Sequence, residues 1–285
     1  MTLKVLLFDV DGTLADTERL GHRPAYNRAF KKLGLPFRWG PKLYRKLLSQ
    51  PGGQERLLHY LKRYRPELGA HAPAAEADTQ AWVRLVHELK SRYFRRMVRR
   101  GAMPLRPGVA RLMREARNAD LRIAIVTSAS RATLKPLLRH SLGPELMKEI
   151  ELFVCGEDVQ QKKPAPDLYF TALARMDVAA RDCIAIEDSA MGLAAATAAG
   201  IATIITSNDY TSHEEFEHAL LVLDTLGESG APARVLQGAL EAPCVTATML
   251  IQLMQNRKLA VSALRFAAAH CAADTLHRKI KRGAV

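Results

Sequence analysis

The chain has 285 residues, of which 48% are hydrophobic and 25% are charged, and its formal net charge is +13. This length permits two domains, and the absence of a long apolar run or a secretory signal pattern excludes a membrane span and predicts a cytoplasmic protein. The positive charge favours phosphorylated or acidic partners and no membrane partner.

The first predicted element is a buried strand over residues 3–8, which runs into the sequence DVDGT. Helical periodicity then dominates residues 16–100. It predicts a helix over 16–33, a short helix within 36–51, a helix over 53–64 and a long helix that ends near residue 100. We therefore expect an all-helical domain inserted after the first strand.

Beyond Gly101, predicted strands alternate with helices. The strands cover residues 121–127, 151–156, 183–188, 202–207 and 220–224. This alternation predicts an α/β fold with a Rossmann-like, doubly wound parallel sheet. We expect residues 1–15 and 101–227 to form this core, residues 16–100 to form the inserted helical domain, and residues 228–285 to form a helical C-terminal extension. Within that extension the predicted helices cover 244–256 and 258–282.

Chemically active side chains follow four of the predicted strands. They are Asp9 and Asp11 after the first strand, Thr127 after the second, Lys163 after the third, and Glu187 and Asp188 after the fourth. In open α/β sheets, binding sites form beyond the carboxyl ends of the strands, so we expect these residues to share one crevice. Carboxylates gathered there would repel one another, and a hard divalent cation such as Mg²⁺ would remove that repulsion.

The spacing of the two aspartates suits phosphoryl transfer. Asp9 can attack phosphorus and form an aspartyl phosphate. Asp11 can protonate the leaving oxygen and then take a proton from the attacking water. Lys163 and Mg²⁺ would stabilise the negative charge on the phosphoryl oxygens, and the hydroxyl of Thr127 would contact the same group.

Four motifs in this chain resemble those of the haloacid dehalogenase (HAD) superfamily, in the same order and over about residues 3–226. They are DVDGT, the hydroxyl after IAIV, the lysine of KKPAPD, and IEDS. The resemblance implies that Asp9 is the nucleophile and Asp11 the acid and base, with Thr127 and Lys163 binding the phosphoryl group. It also implies the following Mg²⁺ ligands: Asp9, the main-chain carbonyl of Asp11, Asp188 and Glu187. The second aspartate of DVDGT argues against dehalogenase chemistry.

The helical insertion after DVDGT is similar to that of subclass I enzymes with a C1 cap. Four further stretches resemble the CbbY group of sugar-bisphosphate phosphatases: TERLGHR (17–23), YRKLLSQPGGQER (44–56), HELKSRYF (87–94) and DYTSHEEF (209–216). The group implies xylulose 1,5-bisphosphate as substrate. It implies the following substrate-binding residues: Glu18, His22, Gly53 and Lys90, with Ser128 and Arg131 from the segment after Thr127. A cap also implies hinges near residues 14–17 and 100–104.

Two positions depart from the CbbY pattern. Gln54 follows the glycine pair, where the pattern GGKER has a lysine, so one expected cation is missing. The segment after the second strand reads SASRATL, where the group has threonine-rich sequence and an asparagine. The missing lysine at residue 54 leaves the exact substrate open, and Arg131 is a candidate substitute phosphate contact in the second segment.

Two alternative functions remain open at the level of sequence. A phosphomutase of the β-phosphoglucomutase type would share every core motif. A non-catalytic protein could instead bind an acidic partner through the basic run at residues 92–100, although the helical spacing of its apolar residues favours the solvated face of one amphipathic helix. We do not expect a nucleic acid partner, and both a monomer and a homo-oligomer are compatible with the sequence.

Overall fold

The computed structural model describes residues 3–50, 52–69 and 78–256. The strands are β1 (Val5–Phe8), β2 (Arg122–Val126), β3 (Ile150–Val154), β4 (Cys183–Glu187), β5 (Ala202–Thr206), β6 (Leu221–Leu223) and β7 (Val235–Gln237). They form one sheet in the order β3-β2-β1-β4-β5-β6-β7. Strands β1 to β6 are parallel, and β7 pairs antiparallel with β6.

The central strand β1 is apolar along its whole length because helices cover both faces of the sheet. All four residues of β1 are buried, and β1 lies between β2 and β4. The chain builds β2 and β3 on one side of β1, then crosses to build β4, β5 and β6 on the other side. This reversal between β1 and β4 leaves a crevice at the carboxyl edge of the sheet. The predicted α/β doubly wound fold is confirmed.

Helical segments cover both faces of the sheet and its carboxyl edge. Those between β1 and β2 are a π-helical turn (Glu18–His22), α1 (Arg23–Lys32), α2 (Pro41–Leu47), α3 (Gly53–Tyr64), α4 (Thr79–Arg99) and α5 (Val109–Asn118). Those after β2 are α6 (Arg131–Ser141), α7 (Gly143–Lys148), α8 (Asp167–Met176) and α9 (Ala190–Ala198), with a 3-10 turn at Ala180–Asp182. Residues of α5, α6 and α7 pack on one face of the sheet, and residues of α8 and α9 pack on the other.

The helices from residue 18 to residue 99, which we call the inserted helices, have an apolar core of their own. It is rich in aromatic residues and includes Tyr26, Phe30, Trp39, Tyr44 and Tyr60. We call this group the aromatic cluster. Because it is separate from the two apolar layers on the sheet, the inserted helices can pack as a unit over the carboxyl edge.

The basic run at residues 92–100 lies on α4 and at its end. Its apolar members Phe94, Met97 and Val98 are buried against the core of the sheet, whereas Arg95 and Arg96 are exposed. The amphipathic interpretation of this run is therefore confirmed.

The chain crosses between the sheet and the inserted helices at two adjacent segments. Ala15 forms an antiparallel bridge with Leu105. The backbone amide of Arg106 donates a hydrogen bond to the carbonyl of Leu14, with an N–O distance of 2.8 Å. The two crossings are thus paired next to the segments that the sequence predicts as hinges.

Residues 228–256 are only partly helical. Strand β7 was not predicted, because it is three residues long, lies exposed at the edge of the sheet and lacks the apolar run that marks a buried strand. A helix starts at residue 247 and continues to residue 256, within the predicted segment 244–256. The predicted helix over 258–282 lies outside the described residues. No helix in the described part of the chain has the length and apolar character needed to cross a membrane.

Candidate active site

A cavity of about 970 Å³ lies between the carboxyl edge of the sheet and the inserted helices. Residues from the sheet side that line it include Asp9, Asp11, Thr127, Ser128, Lys163, Glu187 and Asp188. Residues from the inserted helices that line it include Glu18, His22, Gly53, Arg56 and Lys90. The structure therefore brings all but one of the predicted site residues to a single cavity.

The acidic residues meet because β1 and β4 are neighbours. Asp9 directly follows β1, and its amide donates to the carbonyl of Ile186 in β4 with an N–O distance of 3.0 Å. Glu187 ends β4, and Asp188 is the next residue. One carboxylate oxygen from each of Asp9, Glu187 and Asp188 lies within 4.8 Å of the others, and all three residues are buried. We call these three residues the acidic cluster.

Burial and mutual repulsion make the acidic cluster costly to ionise without a cation. Burial raises the pKa of Asp9 to about 7. Burial, followed by the charges of Asp9 and Glu187, raises the pKa of Asp188 well above its ordinary value. Carboxylate oxygens are the donors that Mg²⁺ prefers, and a divalent ion would relieve this repulsion. The donor set therefore fits Mg²⁺.

A buried ammonium group already neutralises part of the acidic cluster. The Nζ atom of Lys163 lies 2.7 Å from Oδ1 of Asp9 and 2.6 Å from Oε1 of Glu187. Desolvation acts to lower the pKa of Lys163, but the two carboxylates outweigh it and raise the pKa above its ordinary value. The hydroxyl of Tyr169 donates to the same oxygen of Glu187 across 2.6 Å. Glu187 thus orients Lys163 and retains a second oxygen, Oε2, that faces neither of these partners.

Asp11 lies outside the acidic cluster and has its own partners. The hydroxyl of Thr17 donates to Oδ1 of Asp11, and Nε2 of His22 lies 3.6 Å from the same oxygen. Although burial opposes ionisation, His22 and Thr17 lower the pKa of Asp11 below its ordinary value. The imidazole of His22 is stacked on Phe94 with ring centroids 4.0 Å apart, which fixes its orientation. His22, predicted as a substrate contact, therefore also contacts Asp11.

The loop after β1 requires glycine next to Asp11. Gly12 has a φ of +92°, a left-handed conformation, and a Cβ atom placed there would collide with the carboxylate of Asp188. On the next strand, Thr127 is buried, and its hydroxyl accepts a hydrogen bond from the amide of Ala129 at 3.1 Å. The hydroxyl of Ser128 has no protein partner in the described part of the chain, so it is free to contact a ligand.

On the opposite wall, Glu18 belongs to a buried network that the sequence did not reveal. The hydroxyl of Tyr44 donates to Oε2 of Glu18 at 2.6 Å, and Nη1 of Arg56 donates to that hydroxyl at 2.9 Å. The guanidinium of Arg56 also lies 3.6 Å from Oε1 of Glu18. Arg56 is 8% exposed and lines the cavity. It therefore presents a buried positive charge to the cavity, two positions along the chain from Gln54, where the sequence lacks the expected lysine.

A second cation on this wall, Lys90, is almost dehydrated. It is 7% exposed, and its Nζ atom lies 5.1 Å from the ring centroid of Tyr26 and 5.5 Å from that of Phe94. Burial lowers the pKa of Lys90 to about 8. Gly53 lies nearby, and a Cβ atom on it would approach Nε2 of His87 to 2.5 Å. The small size of Gly53 thus keeps this part of the cavity open.

Arg131 is the predicted substrate contact that the structure does not bring to the cavity. Its guanidinium lies 2.7 Å from Oδ2 of Asp158, and it is not among the residues that line the cavity. Asp158 also accepts from the amide of Cys155, in the segment after β3. The carboxylate of Asp158 thus binds Arg131 in place of a substrate. Nothing in the local sequence around residue 131 reveals this contact.

Two further residues near the site were missed because their partners are distant in the chain. The guanidinium of Arg106 donates to the carbonyls of Gly12, Thr206, Ser207 and Asp224, which lie beyond or at the ends of three strands. The amide Nδ2 of Asn208 donates to Oδ2 of Asp188 at 2.7 Å. No local pattern in the sequence reveals these contacts, because Arg106 lies in a linker between two prolines and Asn208 simply follows a strand.

The comparison with known proteins agrees with this geometry. Residues 3–200 match the family model of the haloacid dehalogenase-like hydrolases. The chain belongs to this family. Among curated HAD relatives, the plasmid-encoded CbbY protein of Cupriavidus necator is 43% identical over 230 residues, which cover 81% of this chain and 88% of that protein.

Solved HAD structures give the same result. The crystal structure of CbbY from Rhodobacter sphaeroides in complex with phosphate has 37% identity and a TM-score of 0.69, covering 79% of this chain and 95% of that chain. A mutant of that protein in complex with xylulose 1,5-bisphosphate has 36% identity and a TM-score of 0.69, covering 81% of this chain and 98% of that chain. Within the HAD family the chain is CbbY-like, and it is an enzyme of the phosphatase type.

Proposed function

We propose that the protein is a Mg²⁺-dependent phosphatase that hydrolyses a pentulose bisphosphate such as xylulose 1,5-bisphosphate. The observation that carries this proposal is the acidic cluster, in which carboxylates from two neighbouring strands lie within 4.8 Å of one another around a buried lysine. The ion would be held by Asp9, Asp188, the carbonyl of Asp11 and Oε2 of Glu187, whose hydrogen bond from the amide of Asp188 is long, at 3.4 Å. When bound, Mg²⁺ would neutralise charge on the acidic cluster and on the phosphoryl oxygens.

The protein residues divide the reaction into two steps. In the first, a carboxylate oxygen of Asp9 attacks phosphorus, and the bond from phosphorus to the sugar oxygen breaks. Asp11 gives a proton to that oxygen. In the second step Asp11, as a carboxylate, takes a proton from water, which attacks the phosphoryl group on Asp9 and releases phosphate.

A bisphosphate substrate has two anionic ends, and the cavity has cations at two places. Lys163 lies beside Asp9 on the sheet side. Arg56 and Lys90 line the opposite wall and are both buried, so an anion there would meet them with little solvent screening. Glu18 and His22 offer acceptors and donors for sugar hydroxyls between the two ends. The complex of the Rhodobacter sphaeroides relative with xylulose 1,5-bisphosphate supports this substrate class.

A second candidate is a phosphomutase, supported by the similarity to the β-phosphoglucomutase of Bacillus subtilis, which is 27% identical over 199 residues. A mutase would return the phosphoryl group to another hydroxyl of the same sugar, and so would produce no free phosphate. The two functions therefore differ in their products.

The purified full-length protein distinguishes these functions. It should release phosphate from xylulose 1,5-bisphosphate in Mg²⁺ and none after chelation, and Asp9→Asn should remove turnover. An isomerised sugar phosphate formed from β-glucose 1-phosphate without phosphate release would favour the mutase. Phosphate release by Asp9→Asn at the wild-type rate would exclude both.

A further inference from the structure

One residue of the sheet domain is packed inside the aromatic cluster of the inserted helices. Tyr210, in the turn after β5, is 5% exposed and belongs to that cluster. All other members that the structure describes lie between residues 26 and 93. The ring of Tyr210 therefore leaves the sheet domain and forms part of the apolar core of the inserted helices.

Specific contacts bind this turn to the inserted helices. The Nε atom of Arg23 donates to the hydroxyl of Tyr210 at 2.9 Å. The ring of Tyr210 meets the ring of Tyr44 edge-on, with centroids 5.7 Å apart. A guanidinium nitrogen of Arg45 donates to the carbonyl of Asp209. Residues 208–211 of the turn also line the cavity, and the hydroxyl of Tyr44, against which Tyr210 packs, contacts Glu18 on the wall opposite the sheet.

The other end of the same turn contacts the acidic cluster. Asn208 uses its amide nitrogen to bind Oδ2 of Asp188 at 2.7 Å and its amide oxygen to accept from the backbone of Tyr210 at 2.9 Å. The backbone amide of Asn208 donates to the hydroxyl of Thr211 at 3.1 Å. These internal bonds make the turn a stiff connection between Asp188 and Tyr210.

We infer that Tyr210 is a positioning residue that holds the inserted helices closed over the substrate, through the turn at residues 208–211 that also orients Asp188. The inference rests on the proposed function, because closure matters only if Glu18, Arg56 and Lys90 must meet a sugar phosphate bound at Asp9. A substrate that fills the whole cavity gains from closure, whereas a small phosphate ester that cannot reach the far wall gains little.

The test compares Tyr210→Phe with Tyr64→Phe. The first variant keeps the ring and loses only the hydroxyl that binds Arg23, while Tyr64 is 43% exposed on α3 and serves as the matched control. For Tyr210→Phe we expect the ratio of kcat/KM for xylulose 1,5-bisphosphate to kcat/KM for p-nitrophenyl phosphate to fall about tenfold, as for the loss of one hydrogen bond from a charged donor. Tyr64→Phe should leave this ratio unchanged.

A second variant tests the same bond from the other side. Arg23→Gln should lower the ratio to a similar extent, and the double variant should lose little more than either single variant, because both substitutions remove one interaction. An unchanged ratio in Tyr210→Phe, or an equal loss for both substrates, overturns the inference. Fully additive losses in the double variant overturn it as well.

Amide hydrogen exchange in Mg²⁺ and inorganic phosphate provides a readout that needs no turnover. Exchange in α2 and in residues 208–211 should be faster in Tyr210→Phe than in the wild type and in Tyr64→Phe. Equal exchange in all three proteins contradicts the closing role of Tyr210. If the wild type hydrolyses no sugar phosphate, the proposed function fails, and the exchange result still tests whether Tyr210 holds the inserted helices.

Discussion

The Nζ atom of Lys163 lies 2.7 Å from Oδ1 of Asp9, although 154 residues separate them in the chain. The side chain of Lys163 is 7% exposed and that of Asp9 is 9% exposed. Because Glu187 contacts the same ammonium, one buried cation balances carboxylates that follow or end two neighbouring strands. Both the stability of the fold and the proposed chemistry therefore depend on this lysine.

Removing that cation should destabilise the metal-free protein. In Lys163→Met the acidic cluster loses its only direct ammonium partner among the described residues, and we expect a loss of about 3 kcal/mol in the free energy of unfolding. Saturating Mg²⁺ should restore part of this loss because the ion replaces the missing charge. Urea unfolding with chelator and with Mg²⁺ measures both effects. Lys162→Met, at the exposed neighbouring position, should change neither, and equal stability of the two variants would contradict the account.

Deprotonation of Lys90 should lower kcat/KM for the bisphosphate at alkaline pH. Burial lowers the pKa of Lys90 to about 8, so in the free enzyme its ammonium is charged below this pH and neutral above it. If the charge binds the second phosphate, kcat/KM for the bisphosphate falls as pH rises through about 8. In Lys90→Arg the side chain stays charged at every accessible pH, so this alkaline fall in kcat/KM should disappear. A fall that is identical in both proteins would show that Lys90 is not its source.

Arg106 should be one of the most sensitive structural positions outside the acidic cluster. Its guanidinium satisfies the carbonyls of Gly12, Thr206, Ser207 and Asp224, and Arg106→Met would leave them without this donor. Because a buried acceptor left without a donor costs about 1–3 kcal/mol, we expect a loss of about 3–5 kcal/mol in the free energy of unfolding. The control is Arg117→Met, which removes an exposed pair with Glu149 at 3.2 Å and should cost less than about 1 kcal/mol. Similar losses in both variants would contradict the structural role of Arg106.

Much of the fold and the acidic cluster could be predicted because the signals are local. The apolar run before Asp9 predicts a buried strand, and the alternation of strands and helices predicts a parallel sheet. In such a sheet, residues at the carboxyl ends of adjacent strands must be neighbours, whatever their separation in the chain. This is why Asp9, Glu187 and Asp188 could be placed together without coordinates.

The missed features have partners that no local pattern reveals. Arg56 reads as one more charged residue on an amphipathic helix, yet the hydroxyl of Tyr44 and the carboxylate of Glu18 hold it in the cavity wall. Arg131 reads as a free cation beside the phosphoryl site, yet Asp158 binds it elsewhere. Which carboxylate an arginine meets depends on tertiary packing, and β7 was missed because it is three residues long and lacks the apolar run of a buried strand.

A single methyl group at Gly192 should weaken metal binding. Gly192 lies in α9, and a Cβ atom there would collide with the carboxylate of Glu187. Alanine normally stabilises a helix relative to glycine by about 0.5–1 kcal/mol, so any loss in Gly192→Ala reports the displaced carboxylate. We expect Mg²⁺ affinity, measured by calorimetry, to fall at least about tenfold. Gly40→Ala, with no atom within 4 Å of its added Cβ, is the control. Unchanged affinity in Gly192→Ala would argue against Glu187 in the metal site.

The most direct test of the central claim is to find the phosphoryl group on the enzyme. The wild-type protein is mixed with Mg²⁺ and with xylulose 1,5-bisphosphate whose phosphate groups carry a phosphorus isotope, and the reaction is quenched in acid during turnover. The protein is then digested, and the labelled peptide is identified by mass spectrometry. We expect an acid-stable phosphoryl group on Asp9 that is absent after chelation of Mg²⁺ and absent in Asp9→Asn. A label on any other residue, or turnover with no labelled peptide at any quench time, would contradict nucleophilic attack by Asp9.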